Sequence, residues 1–227
     1  MQVTMIKSIF FKEWIKTRRC YAVVCLAMFG FVGYCMLNVN RVAEIKGAPH
    51  LWEVMILKDA VFLDIFKYVP TFLGILFGLM QFVPEMQNRC LKLTLHLPYS
   101  NHRMLAVMQL FGLALLAACF ALSVLMIVLV YARIFVPEMV AAAVLTALPW
   151  FMAGLEAYLL TAFVCLESTW RLRLAYLAMS LLMLRIFLFD ASAQAYVYAL
   201  PWLAVCIAMT FMLPYVSVAR FKDGCQD

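Results

Sequence analysis

The sequence predicts an all-α integral membrane protein, because its composition and the length of its apolar runs both lead to that fold class. Of its 227 residues, 67% are hydrophobic and only 13% are charged, and the mean hydropathy is +0.97. Soluble domains are closer to half apolar and a quarter charged, so these residues do not supply a surface that can face water. The apolar runs are continuous rather than alternating, which favours membrane helices over a membrane β-barrel.

Six apolar runs are long enough to be membrane spans, since a helix crosses a bilayer with roughly 20 mostly apolar residues. They cover residues 20–38, 61–83, 104–132, 139–166, 174–189 and 196–219. The third and fourth runs are separated only by a short break at Arg133, Pro137 and Glu138, and the fifth is short. No linker or soluble domain interrupts the pattern, so residues 1–227 are predicted to form a single transmembrane domain.

Lysine and arginine are distributed unequally between the two sides of the predicted spans. If the N-terminus is cytoplasmic, twelve of the 18 basic residues flank the cytoplasmic ends and six flank the opposite ends. Cytoplasmic loops carry such an excess of positive charge, so both termini are predicted to be cytoplasmic. The formal net charge of +6 then reflects topology and attraction to anionic membrane lipid rather than a nucleic-acid partner.

The segment before the first span, residues 1–19, is amphipathic. Apolar residues recur near helical spacing, while the lysines lie mostly on other faces; the apolar set is Ile6, Ile9, Phe10, Trp14 and Ile15. This pattern predicts an interfacial helix on the inner membrane face. Such a helix either anchors the first span or acts as a lever between that span and a cytoplasmic partner.

The sequence contains no motif typical of an enzyme. The P-loop pattern GxxxxGK[ST] and the patterns HExxH and GxSxG are absent, so neither ATP binding through a P-loop nor those hydrolytic chemistries are expected of this chain. Its three histidines lie outside the apolar runs, and its eight cysteines include no CxxC pair. We therefore expect no metal, no cofactor bound by this chain and no catalytic residue.

Two features inside the spans are candidate functional or packing positions. Glu156 lies near the middle of the fourth span, in "MAGLEAYLL", where an ionisable residue is a functional hypothesis by default. It is predicted to be protonated or hydrogen-bonded inside the bundle, or to line a translocation path. Arg185, near a span end, is expected to reach the outer headgroups. Gly74 and Gly78 form a GxxxG pattern in the second span, which predicts close helix packing.

The polar stretch "FVPEMQNRCLKLTLHLPYSNHRML", residues 82–105, interrupts the apolar pattern on the predicted cytoplasmic side. Pro84 and Glu85 suit the first turn of a helix, and Pro98 ends the pattern. The apolar residues recur at helical spacing on one face, formed by Met86, Cys90, Leu93 and Leu97. The sequence therefore predicts a short amphipathic helix over residues 84–98 whose apolar face is covered by a protein or a lipid surface.

This stretch resembles the permease subunits of the ABC type-2 transporter family. In that family a glutamate near the end of the second span opens a cytoplasmic helix, which leads to an L-x-L-P-x-S turn and the third span. Glu85, Leu95, Leu97, Pro98 and Ser100 follow the same arrangement here. The six-span plan and the amphipathic N-terminal segment are also similar. The family's glycine shortly after the glutamate is replaced by "MQNRC".

The resemblance implies that residues 84–98 form a coupling helix that docks on a separate ABC ATP-binding subunit, which binds ATP and Mg²⁺. The residues expected to transmit force are Glu85, Met86, Arg89, Cys90, Leu93, Leu97 and Pro98. It also implies a second permease copy or a paralogue, membrane lipid around the spans, and an exporter of the inner (plasma) membrane. The alternative is a non-transporting membrane anchor or regulatory subunit of a larger membrane complex; a membrane-embedded enzyme fits the sequence less well.

Overall fold

A computed structural model describes residues 2–46, 64–87, 101–133, 135–189 and 194–222, and every regular element in these ranges is helical. The elements are α1 (Gln2–Lys46), a short 3₁₀ turn (Asp64–Lys67), α2 (Val69–Gln87), α3 (Asn101–Tyr131), α4 (Pro137–Cys165), α5 (Trp170–Phe187), α6 (Leu200–Thr210) and α7 (Leu213–Lys222). The predicted all-α class is confirmed.

Five helical stretches among the described residues are long and apolar enough to cross a membrane. They are Lys7–Arg41, Val69–Gln87, Arg103–Tyr131, Pro137–Cys165 and Leu200–Arg220. These stretches match five of the six predicted runs and confirm a multi-pass pattern. The remaining run corresponds to α5, an 18-residue helix that carries Arg171, Arg173 and Arg185 and is therefore less apolar. The count of six spans and the cytoplasmic termini stay predictions.

The N-terminal segment differs from the predicted separate interfacial helix. Residues 2–46 form one continuous helix of 45 residues, so there is no boundary near Cys20. Neither glycine nor proline occurs between residues 2 and 29, and without a breaker an established helix propagates by one hydrogen bond per residue. At about 1.5 Å per residue α1 is roughly 68 Å long, about twice the hydrocarbon thickness of a bilayer.

Two prolines also change the predicted helix boundaries. Pro84 lies inside α2, which continues to Gln87 instead of ending at Val83. The last predicted span is divided into α6 and α7 by turns at Phe211 and Met212. Pro214 explains that division, because it has no N–H to bond to the carbonyl of Thr210, four residues earlier.

Helix α4 is the centre of the bundle and contacts α2, α3, α5, α6 and α7. Its closest neighbour is α2, where glycines let the backbones meet. A Cβ on Gly74 would lie 2.1 Å from the carbonyl oxygen of Gly154, and one on Gly78 would lie 2.9 Å from Cβ of Thr161. The GxxxG glycines of α2 thus face α4, and any larger side chain at Gly74 would meet backbone that cannot move aside.

Candidate functional site

A cluster of polar side chains joins α1, α2 and α4 at the end of α2, where the segment that resembles a coupling helix begins in the sequence. It consists of Lys12, Glu13 and Lys16 on α1, Gln81 and Glu85 on α2, and Tyr158 on α4. We call these six residues the polar cluster. It forms because α1 runs past the last two turns of α2, which brings together residues about 70 positions apart in the chain.

The ion pairs of the polar cluster involve two buried carboxylates. Lys16 Nζ lies 2.9 Å from Glu13 Oε2 and 2.8 Å from Glu85 Oε1, while Lys12 Nζ lies 3.0 Å from the same Glu85 oxygen. The glutamate side chains are 0% and 2% exposed, compared with 41% for Lys12 and 21% for Lys16. Two positive charges therefore balance two negative ones. Removing Lys16 would leave the buried carboxylate of Glu13 without a cation, and breaking a buried pair in this way typically costs about 3–5 kcal/mol.

Gln81 and Tyr158 extend this cluster into the centre of the bundle. Gln81 Nε2 donates to Glu13 Oε2 at 3.0 Å and to the carbonyl of Met108, on α3, at 3.0 Å. The Tyr158 hydroxyl donates to Gln81 Oε1 at 2.8 Å. All the hydrogen-bonding groups of the Gln81 amide are thus engaged with three other helices, which fixes its orientation.

Gly112 of α3 provides the space for the bond between Tyr158 and Gln81. A Cβ at Gly112 would lie 2.1 Å from the Tyr158 hydroxyl oxygen and 2.4 Å from Gln81 Oε1. Nearby on α3, Gln109 is fully buried, and neither atom of its amide group has a hydrogen-bond partner in the described structure. Buried amides usually have partners or ordered water, so Gln109 is an exception to that pattern beside the polar cluster.

Only two of the predicted force-transmitting residues lie in the described part of the chain. Glu85 and Met86 occupy the last turn of α2, where Glu85 joins the polar cluster and Met86 packs against the main hydrophobic core. Glu85 Oε2 has no hydrogen-bond partner in the described structure. Arg89, Cys90, Leu93, Leu97 and Pro98 lie outside the described residues, so the coupling helix itself stays a prediction.

Glu156 is buried elsewhere, on the side of α4 that faces α6. Its Oε1 accepts a hydrogen bond of 2.6 Å from the hydroxyl of Thr210, and both residues are 0% exposed. Glu156 thus has a hydrogen bond inside the bundle. No ion pair between Glu156 and Arg185 occurs in the described structure, and Arg185 is exposed.

In comparisons with known proteins, no family model, no curated protein and no solved structure matches the chain. Within the described ranges, no group of three or more His, Cys, Asp or Glu side chains is arranged to hold a metal ion.

Most of the polar cluster was missed at the sequence level. Glu13 lies within "FFKEWIK", in a segment whose main pattern is its apolar face. Its spacing of three residues from Lys16 was the signal that indicated an ion pair. Gln81 and Tyr158 were isolated polar residues in apolar spans, which is also a signal, since such groups need buried partners. Which helix would supply those partners could not be read from spacing.

The polar cluster links three helices through ion pairs and hydrogen bonds. It pairs every charged side chain with an opposite charge and holds three helices in a fixed relation at one end of the bundle. Glu85 is the carboxylate of the cluster that is closest in sequence to residues 88–100, and it is paired with both lysines of α1. A displacement of the chain just after Glu85 would therefore be passed to α1 and, through Gln81, to α4.

Proposed function

We propose that this chain is the transmembrane permease subunit of an ATP-driven ABC exporter of the inner membrane. It would couple ATP hydrolysis on a separate nucleotide-binding subunit to movement of a substrate across the membrane. The observation that carries the proposal is the bridge from Glu85 to Lys12 and Lys16, because it ties the beginning of the segment resembling a coupling helix to α1.

Transmission of force follows from the burial of this bridge. If a partner moves residues 84–98, Glu85 must either move with Lys12 and Lys16 or separate from them. Separation leaves a buried carboxylate without its cations, which costs several kcal/mol, so joint motion of α1 and α2 is favoured. The bonds from Gln81 to Glu13 and Tyr158 extend that motion to α4, the helix that contacts most of the bundle.

The proposed complex contains two membrane subunits and two ATP-binding subunits. The second membrane subunit is a copy of this chain or a paralogue, and the ATP-binding subunits hold ATP and Mg²⁺. A partner can switch the membrane domain only if it binds two conformations with different affinity. The ATP-binding subunits would supply that difference in affinity if they dock on residues 84–98 differently before and after they bind ATP.

Co-purification from the native membrane tests the proposal directly. The tagged full-length chain is expected to bring down a P-loop ATPase, identified by mass spectrometry, together with ATP hydrolysis that depends on Mg²⁺. Absence of such an ATPase from the wild-type complex would remove the exporter proposal. Recovery of a different stable membrane complex without ATP hydrolysis would favour the alternative, a non-transporting anchor or regulatory subunit.

Substitution of Glu85 tests whether its bridge to Lys12 and Lys16 is needed for coupling. Glu85→Gln keeps the shape of the side chain but removes the charge shared by Lys12 and Lys16. We expect stimulation of the co-purified ATPase by the permease to fall at least about fivefold, the lower end of typical coupling energies between sites. Glu138→Gln is the matched control, since Glu138 is an exposed glutamate in the first turn of α4. Equal stimulation in the two variants would contradict a coupling role for Glu85.

A further inference from the structure

Glu156 is a buried acid for which the coupling scheme above has no use. It lies inside α4, and its side chain is 0% exposed. Oε1 accepts the 2.6 Å hydrogen bond from Thr210, whereas Oε2 has no hydrogen-bond partner in the described structure. One carboxyl oxygen is therefore satisfied and the other is not.

Thr210, the partner of Glu156, is the last residue of α6, at the break in the final span. The chain tightens there, with Phe211 N donating to the carbonyl of Ile207 and Met212 N donating to that of Met209, each at 3.0 Å. The carbonyl of Thr210 has no N–H four residues later because that position is Pro214. Thr210 thus links Glu156 to the place where the last span bends.

The surroundings of Glu156 on α4 are apolar. Ala153, three residues earlier, packs with Phe187 and Leu203. Ala157, the next residue, packs with Leu160 and Leu184. A carboxylate in such surroundings, with one hydrogen bond and no cation, is far more costly than the neutral acid.

The titratable and charged groups of the helices around α4 are engaged or placed elsewhere. In the described side chains these groups are Glu85 on α2, Arg103, Cys119 and Tyr131 on α3, Arg171, Arg173, Tyr176 and Arg185 on α5, Cys206 on α6, and Tyr215 and Arg220 on α7. None of them forms a hydrogen bond or an ion pair with Glu156 in the described structure, where Thr210 is its hydrogen-bond partner. On α4 itself, the Tyr158 hydroxyl is turned towards Gln81.

We propose that Glu156 is a proton-binding site inside the bundle and that its proton is coupled to the bend between α6 and α7. Among the described residues, Glu156 belongs to no group of three or more His, Cys, Asp or Glu side chains that could hold a metal ion. When the acid releases its proton to water, the carboxylate requires a second donor. The hydroxyl of Thr210, the last residue of α6, is its present donor. A charged carboxylate holds a donor more strongly than the neutral acid does, so the change of charge acts on the chain at the break between α6 and α7.

This proposal does not depend on the exporter proposal, because proton binding and bending are properties of this chain alone. A protein that co-purifies with no ATPase would still show them. Conversely, co-purification of a coupled ATPase would neither support nor contradict proton binding at Glu156.

Infrared spectroscopy of the full-length protein in lipid nanodiscs tests the proton-binding site. We expect a protonated carboxyl C=O absorption at neutral pH in the wild type, its loss in Glu156→Gln, and its disappearance from the wild type as the pH is raised. Glu167→Gln is the matched control, since Glu167 is another fully buried glutamate with an unpartnered Oε2, but it lies just after the end of α4. An absorption unchanged by Glu156→Gln overturns the proposal.

A distance measurement tests the coupling to the bend. Spin labels carried by non-natural amino acids at Trp202 and Val216, both exposed, report the separation of α6 and α7. We expect that separation to change with pH in the wild type and in Glu167→Gln, and to stay at its low-pH value in Glu156→Gln. A wild-type separation that is independent of pH, or a pH response that persists in Glu156→Gln, overturns the coupling.

Thr210→Val keeps the test decisive if Glu156→Gln does not fold. It removes the hydroxyl that bonds to Glu156 and leaves a side chain of similar shape. We expect a shift of the carboxyl absorption and a loss of the pH response of the separation. A variant indistinguishable from the wild type in both measurements overturns the proposal.

Discussion

At the scale of single residues, the molecule places its polar side chains where another helix supplies a partner. Gln81 illustrates the rule, because its amide meets Glu13, the carbonyl of Met108 and Tyr158 at distances between 2.8 and 3.0 Å. Breaking one bond in such a set leaves the opposite group buried and unpaired, which costs more than the bond itself contributes. The polar cluster should therefore be sensitive to the loss of single atoms.

Tyr158→Phe removes one hydroxyl and keeps the ring in contact with Phe77 and Phe82, whose ring centroids lie 5.9 and 5.8 Å away. Gln81 Oε1 then loses its donor, so we expect destabilisation of about 1–3 kcal/mol, measured as a lower midpoint of thermal unfolding in detergent. Tyr198→Phe is the control, since Tyr198 is 93% exposed. Equal midpoints for the two variants would contradict the role assigned to the hydroxyl.

At the scale of helices, the contact between α2 and α4 depends on the absence of side chains. A Cβ at Gly74 would approach the Gly154 carbonyl oxygen to 2.1 Å, and one at Gly154 would approach the Pro70 carbonyl oxygen to 2.7 Å. These are backbone atoms on both sides, so the helices must separate if either glycine is enlarged. Separation would also pull Gln81 away from Tyr158, which links helix packing to the polar cluster.

Gly74→Ala should therefore destabilise the protein, by about 1–3 kcal/mol as for other over-packed cores. Gly30→Ala is the matched control, because a Cβ at Gly30, in α1, meets nothing within 4 Å. Alanine there stabilises the helix by about 0.5–1 kcal/mol relative to glycine. Thermal unfolding of both variants in one detergent should move in opposite directions. Unfolding of Gly74→Ala at or above the wild-type midpoint would contradict the packing.

The sequence predicted those features of the helices that a single local property determines. Apolar length indicated the spans, and Gly74 and Gly78 indicated a close helix face. Local patterns gave the wrong helix boundaries where the continuity of a helix or a distant contact determines them. Helix α1 continues through Cys20. Helix α2 continues through Pro84 to Glu85, which is paired with lysines about 70 residues away in the chain. The division after Thr210 had a local signal in Pro214, but the bond from Thr210 to Glu156 spans 54 positions and no spacing reveals it.

At the scale of the whole molecule, α5 decides the topology. Among the described residues, five stretches are apolar enough to cross a membrane, and an odd number of crossings would place the termini on opposite sides. If α5 crosses as well, the count is even and both termini share a side, as the distribution of basic residues predicts. The side on which the polar cluster lies follows from the same distribution, since Lys7, Lys12, Lys16, Arg18 and Arg19 flank its end of α1.

Reporter fusions on either side of α5 test this topology. We expect a fluorescent protein fused after Glu167 or at the C-terminus to fluoresce, because both sites are predicted to be cytoplasmic. Alkaline phosphatase should be active after Phe135 and after Tyr198, on the opposite side. The fusions after Glu167 and Tyr198 are matched, since they differ only by α5 and the turn that follows it. Fluorescence after both would show that α5 does not cross. The C-terminus would then lie outside, with eleven of the 18 basic residues on the cytoplasmic side and seven on the other. An active C-terminal phosphatase would support the same conclusion. The polar cluster and the C-terminus would then lie on opposite sides of the membrane.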